Sequence, residues 1–377
     1  MFLSIGVRMV VNVEALNMVE SVGNVVRKRT VPYVVSKGAG SYVLRWVPAI
    51  SGECLAHSYQ AYLSDIAQKL GESVCEWCKR HEFIKHFDLR FWNLTKDKIE
   101  YHSEELKIAE KYGKKAEEVP LSIDVYKEIE HSIVKTCTVE DIGGFLVTQG
   151  AVKRTSRFSF SYAVPTIDSV LKGAIALDNQ FLVRHAPQAE AMRQEIKLTD
   201  IQAQAPYYVQ LSSAVYSFMY YLDILNIGRS SISGEYVIGE ESRKRRINAA
   251  ILALSEMLDN RIWGAKLTRY NPIMDYELII ATLVDKVQFQ CTPPSLEFKE
   301  FVESTLYRAL KVKEDIKDIG IFNIYVWCSK NVIQEQVNTI VEKYKEKLEE
   351  SKVLLNVIRS YSVRDLFGKI IKDLGLR

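Results

Sequence analysis

Ile5, Val7, Met9, Val11 and Val13 alternate with Gly6, Arg8, Val10, Asn12 and Glu14. A period of two commits this segment to a half-buried strand, because only extended backbone sends successive side chains to opposite faces. Far along the chain a second, aromatic stretch repeats the signal through Tyr207, Val209 and Leu211, then Val215, Tyr216, Phe218, Tyr220 and Leu222. Between the two, Ser51 to Gly71 reads as a helix. Ser51 suits the N-cap, Glu53 the positive end of the dipole and Gly71 the C′ position. Leu55, Tyr59, Tyr62, Ile66 and Leu70 form its apolar stripe, which sets His57, Gln60 and Ser64 elsewhere on its surface. Strand, helix and strand mixed in this way imply an α+β chain, and 377 residues can bury a substantial core in one large domain or two.

Further strands are expected over Tyr42–Val47, Leu177–Val183, Tyr276–Val287 and Ile321–Cys328. A helix is expected over Glu240–Asp259, with Ile247, Ile251, Leu254 and Leu258 inward. Glu72 to Lys135 reads as largely helical and charged, and Leu296–Leu310, Ile333–Leu355 and Val363–Leu374 as helices. No apolar run reaches membrane-spanning length, and Arg8, Asn12 and Glu14 interrupt the apolar N-terminus. Six cysteines over this length are not a disulfide scaffold, so a reducing cytoplasm is expected.

A net charge of +3 does not announce a nucleic-acid binder, so the distribution of charge has to carry the argument. Three segments lack acids altogether. Between Glu20 and Glu53 lie Arg27, Lys28, Arg29, Lys37 and Arg45. Between Asp141 and Asp168 lie Lys153, Arg154 and Arg157, with Gly143, Gly144, Gln149 and Gly150. Phe158, Phe160 and Tyr162 alternate there, and pairing with Phe145–Thr148 would make a hairpin with the three cations at or just past its tip. The third, Arg261 to Pro272, interleaves Lys266 and Arg269 with Trp263 and Tyr270. Cations beside aromatics fit single-stranded nucleic acid, where phosphates meet charge and bases stack on rings. An ordinary solvated hairpin fits the second segment as well.

Arg243, Lys244, Arg245 and Arg246 oppose the dipole at the start of their helix, which raises the expectation of an anionic partner. The Ser51-Gly52 junction offers free backbone N–H groups to a phosphate, as any helix start does. No P-loop, HExxH or GxSxG occurs. His57 could serve as a base for RNA cleavage, but no second acid or base is placed beside it. Cys75, Cys78, His81 and His86 include zinc-type ligands; on one continuous helix His81 would point away from the other three. No metal and no cofactor are therefore expected.

Three stretches, GVRMVVNVEALNMVESVGNVVRKRTVP, VPAISGECLAHSYQA and DIGGFLVTQGAVKRTSRFSFSYAVP, resemble the DevR-type backbone subunit of type I-A CRISPR Cascade complexes, a branch of the RAMP superfamily. The resemblance continues through LDNQFLVRHAP, QLSSAVYSFMYYLDI and EESRKRRINAAILALSEML, spanning about Ile5 to Ile280. It implies an RRM-like (ferredoxin-like) palm with an inserted helical lobe, a smaller lobe and a thumb hairpin. The corresponding division is 1–71 and 169–292 for the palm and smaller lobe, 72–135 for the helical lobe, 136–168 for the thumb region and 293–377 for a mainly helical extension. The resemblance also implies non-catalytic binding of CRISPR guide RNA by several copies side by side, with target DNA and other Cascade subunits as further partners. Carried onto matching positions, the guide-facing residues are Asn12, Arg27, Lys28, Arg29, Ser51, Gly52, His57, Gln149, Lys153, Arg154 and Arg157. Asn24, Arg45, Gln60, Gly150, Lys266 and Arg269 complete the expected RNA-binding set. A metal-dependent ribonuclease of the type III kind is the rival, which an aspartate in a loop near the thumb of the neighbouring copy would favour; Asp141 and Asp168 flank the hairpin but read as stem residues.

Overall fold

The computed structural model describes residues 1–85, 123–147, 152–185, 204–295 and 297–376. Its first strand, β1 (Phe2–Glu14), is followed by a short hairpin, β2 (Met18–Val22) and β3 (Val25–Lys28), and a longer one, β4 (Thr30–Gly38) and β5 (Ser41–Pro48). Helices α1 (Gly52–Lys69), α2 (Glu76–Lys79), α3 (Ile123–Thr136) and α4 (Thr138–Gly143) come next. Then follow β6 (Phe145–Val147), β7 (Val152–Arg154), β8 (Phe158–Phe160), β9 (Val164–Pro165), α5 (Ile167–Leu171), β10 (Ile175–His185) and the long β11 (Gln204–Asp223). The chain continues through α6 (Glu240–Asn260), α7 (Leu267–Tyr270), β12 (Ile273–Val284) and α8 (Phe298–Asp315). It ends with β13 (Phe322–Cys328), α9 (Asn331–Glu350), β14 (Leu354–Arg359) and α10 (Arg364–Asp373).

β1 is central because it can be: Leu3 to Met9 are buried without a break, and both its edges are paired. It runs antiparallel to β11 on one side and to β12 on the other. The opposite edge of β11 takes β8, β9 and β10 at successive heights, while β12 pairs with β13 and β13 with β14. The inward stripe of β1 packs with Tyr216, Phe218 and Tyr220 of β11 under α1, α6 and α10. Leu55, Tyr59, Leu63 and Ile66 carry α1 onto that core, each burial contributing about 1.5–3 kcal/mol. Leu63 takes the place expected for Tyr62, whose hydroxyl instead donates to the Ile262 carbonyl at 3.0 Å. The other sheet face, through Leu278, Ile280, Ile324 and Val326, is covered by α8 and α9.

Two expectations need correction. Phe158–Phe160 does not pair with Phe145–Val147: β6 pairs with β7, and β8 joins the main sheet through Tyr220 to Leu222. The aromatic feet win this competition because Phe158 and Phe160 pack their rings against Tyr59 and Tyr220 in the core. The stretch expected as one helix from Ile333 to Leu355 stops at Glu350. Lys352 takes a left-handed backbone (φ 55°), and the following segment becomes β14, parallel to β13. A strand, helix and parallel strand form a βαβ unit, so the C-terminal region extends the main sheet as well as adding helices.

Candidate nucleic-acid interface

Phe2 of β1 faces Asp223 of β11, and Glu14 faces Ser212. At about 3.3 Å per residue the two ends of this pair lie roughly 40 Å apart. The basic residues expected to bind RNA divide between these ends.

At the Glu14 end, Asn17 is the joint. Its Oδ1 accepts hydrogen bonds from Arg29 Nε (3.1 Å) and from the Ser51 backbone N–H (2.9 Å). The β3 exit and the α1 start are thereby held together. Ser51 is buried, its hydroxyl accepting from Cys54 N–H at 3.2 Å, so it caps the helix as expected and has that donor to satisfy first. Gly52 is required by packing: a Cβ there would lie 2.7 Å from the Phe160 carbonyl oxygen. The 261–272 loop comes to the same place, with Ala265 N–H donating to the Leu16 carbonyl (2.8 Å) and Gly264 N–H to Ser58 Oγ (3.1 Å). It leaves Lys266 and Arg269 exposed, and Arg269 donates to the Tyr207 hydroxyl at 2.8 Å. Arg27 is exposed and only loosely paired with Glu20 (3.7 Å), an arrangement worth little in water. Asn24 is exposed at the β2–β3 turn, and its carbonyl accepts from Tyr208 N–H. Asn12 lines a shallow groove of about 360 Å³ with Gly173, Ile175 and Ser213.

Lys28 and Gln60 of the expected set, and the Trp263 ring, are corrected. Lys28 is buried against Glu14, which also accepts from the Ser212 and Tyr216 hydroxyls and from Leu16 N–H. Burial pushes the Lys28 ammonium down to about 7. Trp263, expected as a stacking ring, is 2% exposed and part of the core. On α1, Gln60 is buried, donating to the Ala56 carbonyl at 3.0 Å, whereas His57 is exposed with its ring edge-on to Phe83. Burial, and then His81 nearby, lower the His57 pKa, so the ring is neutral at pH 7.

The β4–β5 hairpin projects beside this group. Lys37 and Arg45 are exposed on it, and Tyr42 and Trp46 are 70% and 69% exposed. Val34 and Leu44, which face each other in register, share the exposed side. Composition gave no hint of so much uncovered apolar surface there, although the alternation in Tyr42–Val47 was a usable signal.

At the Asp223 end the picture reverses. Arg154, expected near a hairpin tip, is 3% exposed. Its guanidinium pairs with Asp141 and with Glu130 (3.0 Å) and donates to the carbonyls of Asp141 and Arg229. Arg246 pairs with Glu72 and Asp141, both at 2.9 Å, and Arg245 with Glu72 at 2.8 Å. The anionic partner suggested by the four cations of α6 is thus largely internal. Lys244 is held by Glu241, and Arg243 donates to the carbonyls of Ile224 and Ile227 over the Tyr236 ring. Burial would raise the carboxyls of Glu72 and Glu130, but Ser242 with Arg246, and Ser230 and Ser231 with Arg154, hold them below the usual range. Arg157 is half-buried, donating to Ser231 Oγ at 2.9 Å, while Lys153 on β7 is exposed. Gln149 and Gly150 lie outside the described residues.

Asp141 is consumed by this cage, and Asp168 holds Arg8 in a bidentate pair at 2.7 and 3.1 Å. His81 pairs with Asp65 at 2.9 Å, away from Cys75 and Cys78, and His86 is outside the described residues. Among the described residues no helix is long and apolar enough to cross a membrane. The residues missed by sequence reasoning are Asn17 and Tyr207, ordinary polar side chains whose importance comes from what they join.

The profile of the family described as CRISPR-associated negative auto-regulator DevR/Csa2 matches residues 5–306. The chain is 34% identical to the CRISPR-associated aCascade subunit Cas7/Csa2 2 of Saccharolobus solfataricus, over 81% of this chain and 86% of that protein. It is 27% identical to the CRISPR-associated protein Cas7/Cst2/DevR of Methanocaldococcus jannaschii, over 91% of this chain and all of that one. A chain of a solved CRISPR RNA-guided surveillance complex aligns with a TM-score of 0.45 at 8% identity, covering 90% of this chain and 99% of its own length.

Proposed function

This chain belongs to the DevR/Csa2 family of CRISPR-associated proteins, and from that premise we propose that it is a guide-RNA-binding backbone subunit of a type I-A Cascade complex. Copies assemble head-to-tail along the guide and present it for pairing with target DNA. The palm is RRM-like, a reading supported by the strand order β12-β1-β11-β8 with α1 and α6 together on one face.

The observation that carries the reading is the basic cluster around Asn17. Arg27 and Arg29 come from one segment and Lys266 and Arg269 from another far along the chain, and three of the four are exposed. Cations and backbone amides of this kind grip phosphate and sugar, not base edges, so binding is indifferent to guide sequence. His57, exposed and neutral, stacks on a base. Asn12, Asn24 and Arg45 line the path, and Lys153 and Arg157 contact the strand from the other end. Lys28, Gln60 and Arg154, being buried, take no part.

The protein binds without cutting. Asp141 and Asp168 are each locked in an arginine pair, which leaves neither available to hold a catalytic metal. The exposed apolar side of the β4–β5 hairpin supports contact with the next copy. Copies following one strand must meet through different surfaces, and such contacts build open filaments. Light scattering with RNAs of increasing length tests this: mass per complex should rise with length. Labelled RNA incubated with protein and Mg²⁺ should remain intact. Constant mass would end the filament reading, and metal-dependent cleavage the non-enzymatic one.

A further inference from the structure

Cys75, Cys78, Cys137 and Glu140 are all buried, and their sulfur and carboxylate oxygen atoms lie within 4.8 Å of one another. They arrive as two matched pairs. Cys75 precedes α2 and Cys78 lies within it; Cys137 precedes α4 and Glu140 lies within it. In each pair a spacing of three brings both side chains to one side of a helical turn. The four form a C-x-x-C followed, some sixty residues on, by a C-x-x-E.

The scaffold around them is stitched at several points. Thr138 donates to the Ser73 carbonyl through both its N–H and its hydroxyl, each at 2.9 Å, and Ser73 Oγ donates to the Lys135 carbonyl at 2.8 Å. Ser64 on α1 donates to the Cys78 carbonyl at 2.8 Å. Lys85 approaches from outside, its ammonium donating to the Gly143 carbonyl at 2.9 Å. The two ligand pairs are therefore positioned by α1, by the turn before α2 and by the α3–α4 junction. Packing of small apolar thiols would account for the cysteines alone; the group also holds the buried Glu140 carboxylate, which accepts from Cys75 Sγ at 3.4 Å.

We propose that Cys75, Cys78, Cys137 and Glu140 bind one structural Zn²⁺ ion. Four single-atom donors, three of them soft sulfur, match a tetrahedral zinc site. With Zn–S at about 2.3 Å, the edges of such a tetrahedron are about 3.8 Å, a small contraction from the observed grouping. Binding displaces the thiol protons to solvent. Three thiolates and a carboxylate carry four negative charges, of which the ion and Lys85 neutralise three. All four coordination positions are filled by protein, so the site is closed and its role is to hold structure. It ties α2 to α4, which carries Asp141 into the arginine cage and leads into β6. The set shares Cys75 and Cys78 with the grouping suggested by sequence, but Cys137 and Glu140 replace the two histidines. The inference is independent of RNA binding.

The test uses the full-length protein, expressed with added zinc and purified without chelator. Elemental analysis should find about one zinc per chain, falling below about a tenth in Cys78→Ser and Cys137→Ser but unchanged in Cys328→Ser. Because a serine variant that failed to fold would also lose zinc, wild-type protein stripped of metal is titrated with Co²⁺ as well. One equivalent should give the intense visible bands and thiolate charge transfer of tetrahedral cobalt. Zinc-free wild type that develops no such bands overturns the proposal. So does zinc retained in a folded Cys137→Ser protein, or a disulfide among these cysteines in protein handled without oxidant.

Discussion

At one end of the β1–β11 pair, Arg154 and Arg246 are enclosed with Glu72, Glu130 and Asp141; at the other, Arg27, Lys266 and Arg269 face solvent. Both ends are built from segments that look alike in sequence, arginine and lysine among glycine and aromatics. What separates them is the location of the carboxylates. A segment free of acids along the chain is not free of them in space: Glu130 comes from α3, and Glu72 from the turn after α1. A guanidinium with two buried carboxylates and several carbonyls around it is committed to the fold. One with a single loose partner in water is free to exchange it for a phosphate.

The largest effect that would break this contrast is at Arg154. We predict that Arg154→Ala destabilises the protein by about 3–5 kcal/mol, since it leaves Asp141 and Glu130 buried with an arginine missing. Denaturant unfolding measures it. A variant of native stability that had lost only RNA affinity would put Arg154 among the binding residues after all.

The converse is Arg27, Lys266 and Arg269 changed together to Ala. Stability should move by less than about 1 kcal/mol, as is usual at exposed sites. RNA affinity should fall alike for unrelated sequences, and its salt dependence should flatten by about two units of log–log slope. Titrations of two RNAs at several salt concentrations decide this, and loss confined to one sequence would contradict phosphate-directed binding.

Smaller effects sharpen the line between packing and binding. Gly52→Ala should cost about 1–3 kcal/mol, because its Cβ meets the Phe160 carbonyl at 2.7 Å. Wild-type stability in that variant would show that β8 can shift. His57→Ala should weaken RNA binding by about 1–3 kcal/mol and leave the melting temperature unaltered. A fall in melting temperature without loss of affinity would instead assign the ring to packing against Phe83.

The cage also sets an acid limit. Glu72 and Glu130 of the cage have folded pKa values below their ordinary ones, as does Asp168, outside it, against Arg8. Their contribution is therefore present above the unfolded carboxylate range and is lost as pH falls through the folded values. Unfolding followed downward from pH 5 should show stability declining below about pH 4.5. The Arg154→Ala protein should have the shallower decline, and an equal slope would mean that the cage does not govern it.

Much of this fold was legible. The β1 and β11 strands, the Ser51 cap and the α1 and α6 stripes follow from local rules, since side-chain period and capping depend on residues a few positions apart. The half-buried reading of β1 does not hold, because both its faces are covered and a register shift before Glu14 leaves Val13 exposed and Glu14 buried. The Phe145 pairing failed because two strands were competing for β8, and the aromatic core under Tyr59 and Tyr220 lies far from it in sequence. The break at Lys352 was masked by helix-forming residues on its N-terminal side.

By itself the sequence determined the strand and helix segments, the family resemblance and the pool of basic residues from which an interface could be drawn. The tertiary structure alone decided which cations are exposed. It put Asn17 between Arg29 and Ser51, gathered Cys75, Cys78, Cys137 and Glu140, and surrounded Arg154 with acids. The physical reason is that charge interactions and desolvation depend on distance and burial, both set by contacts between residues 12 to 174 positions apart.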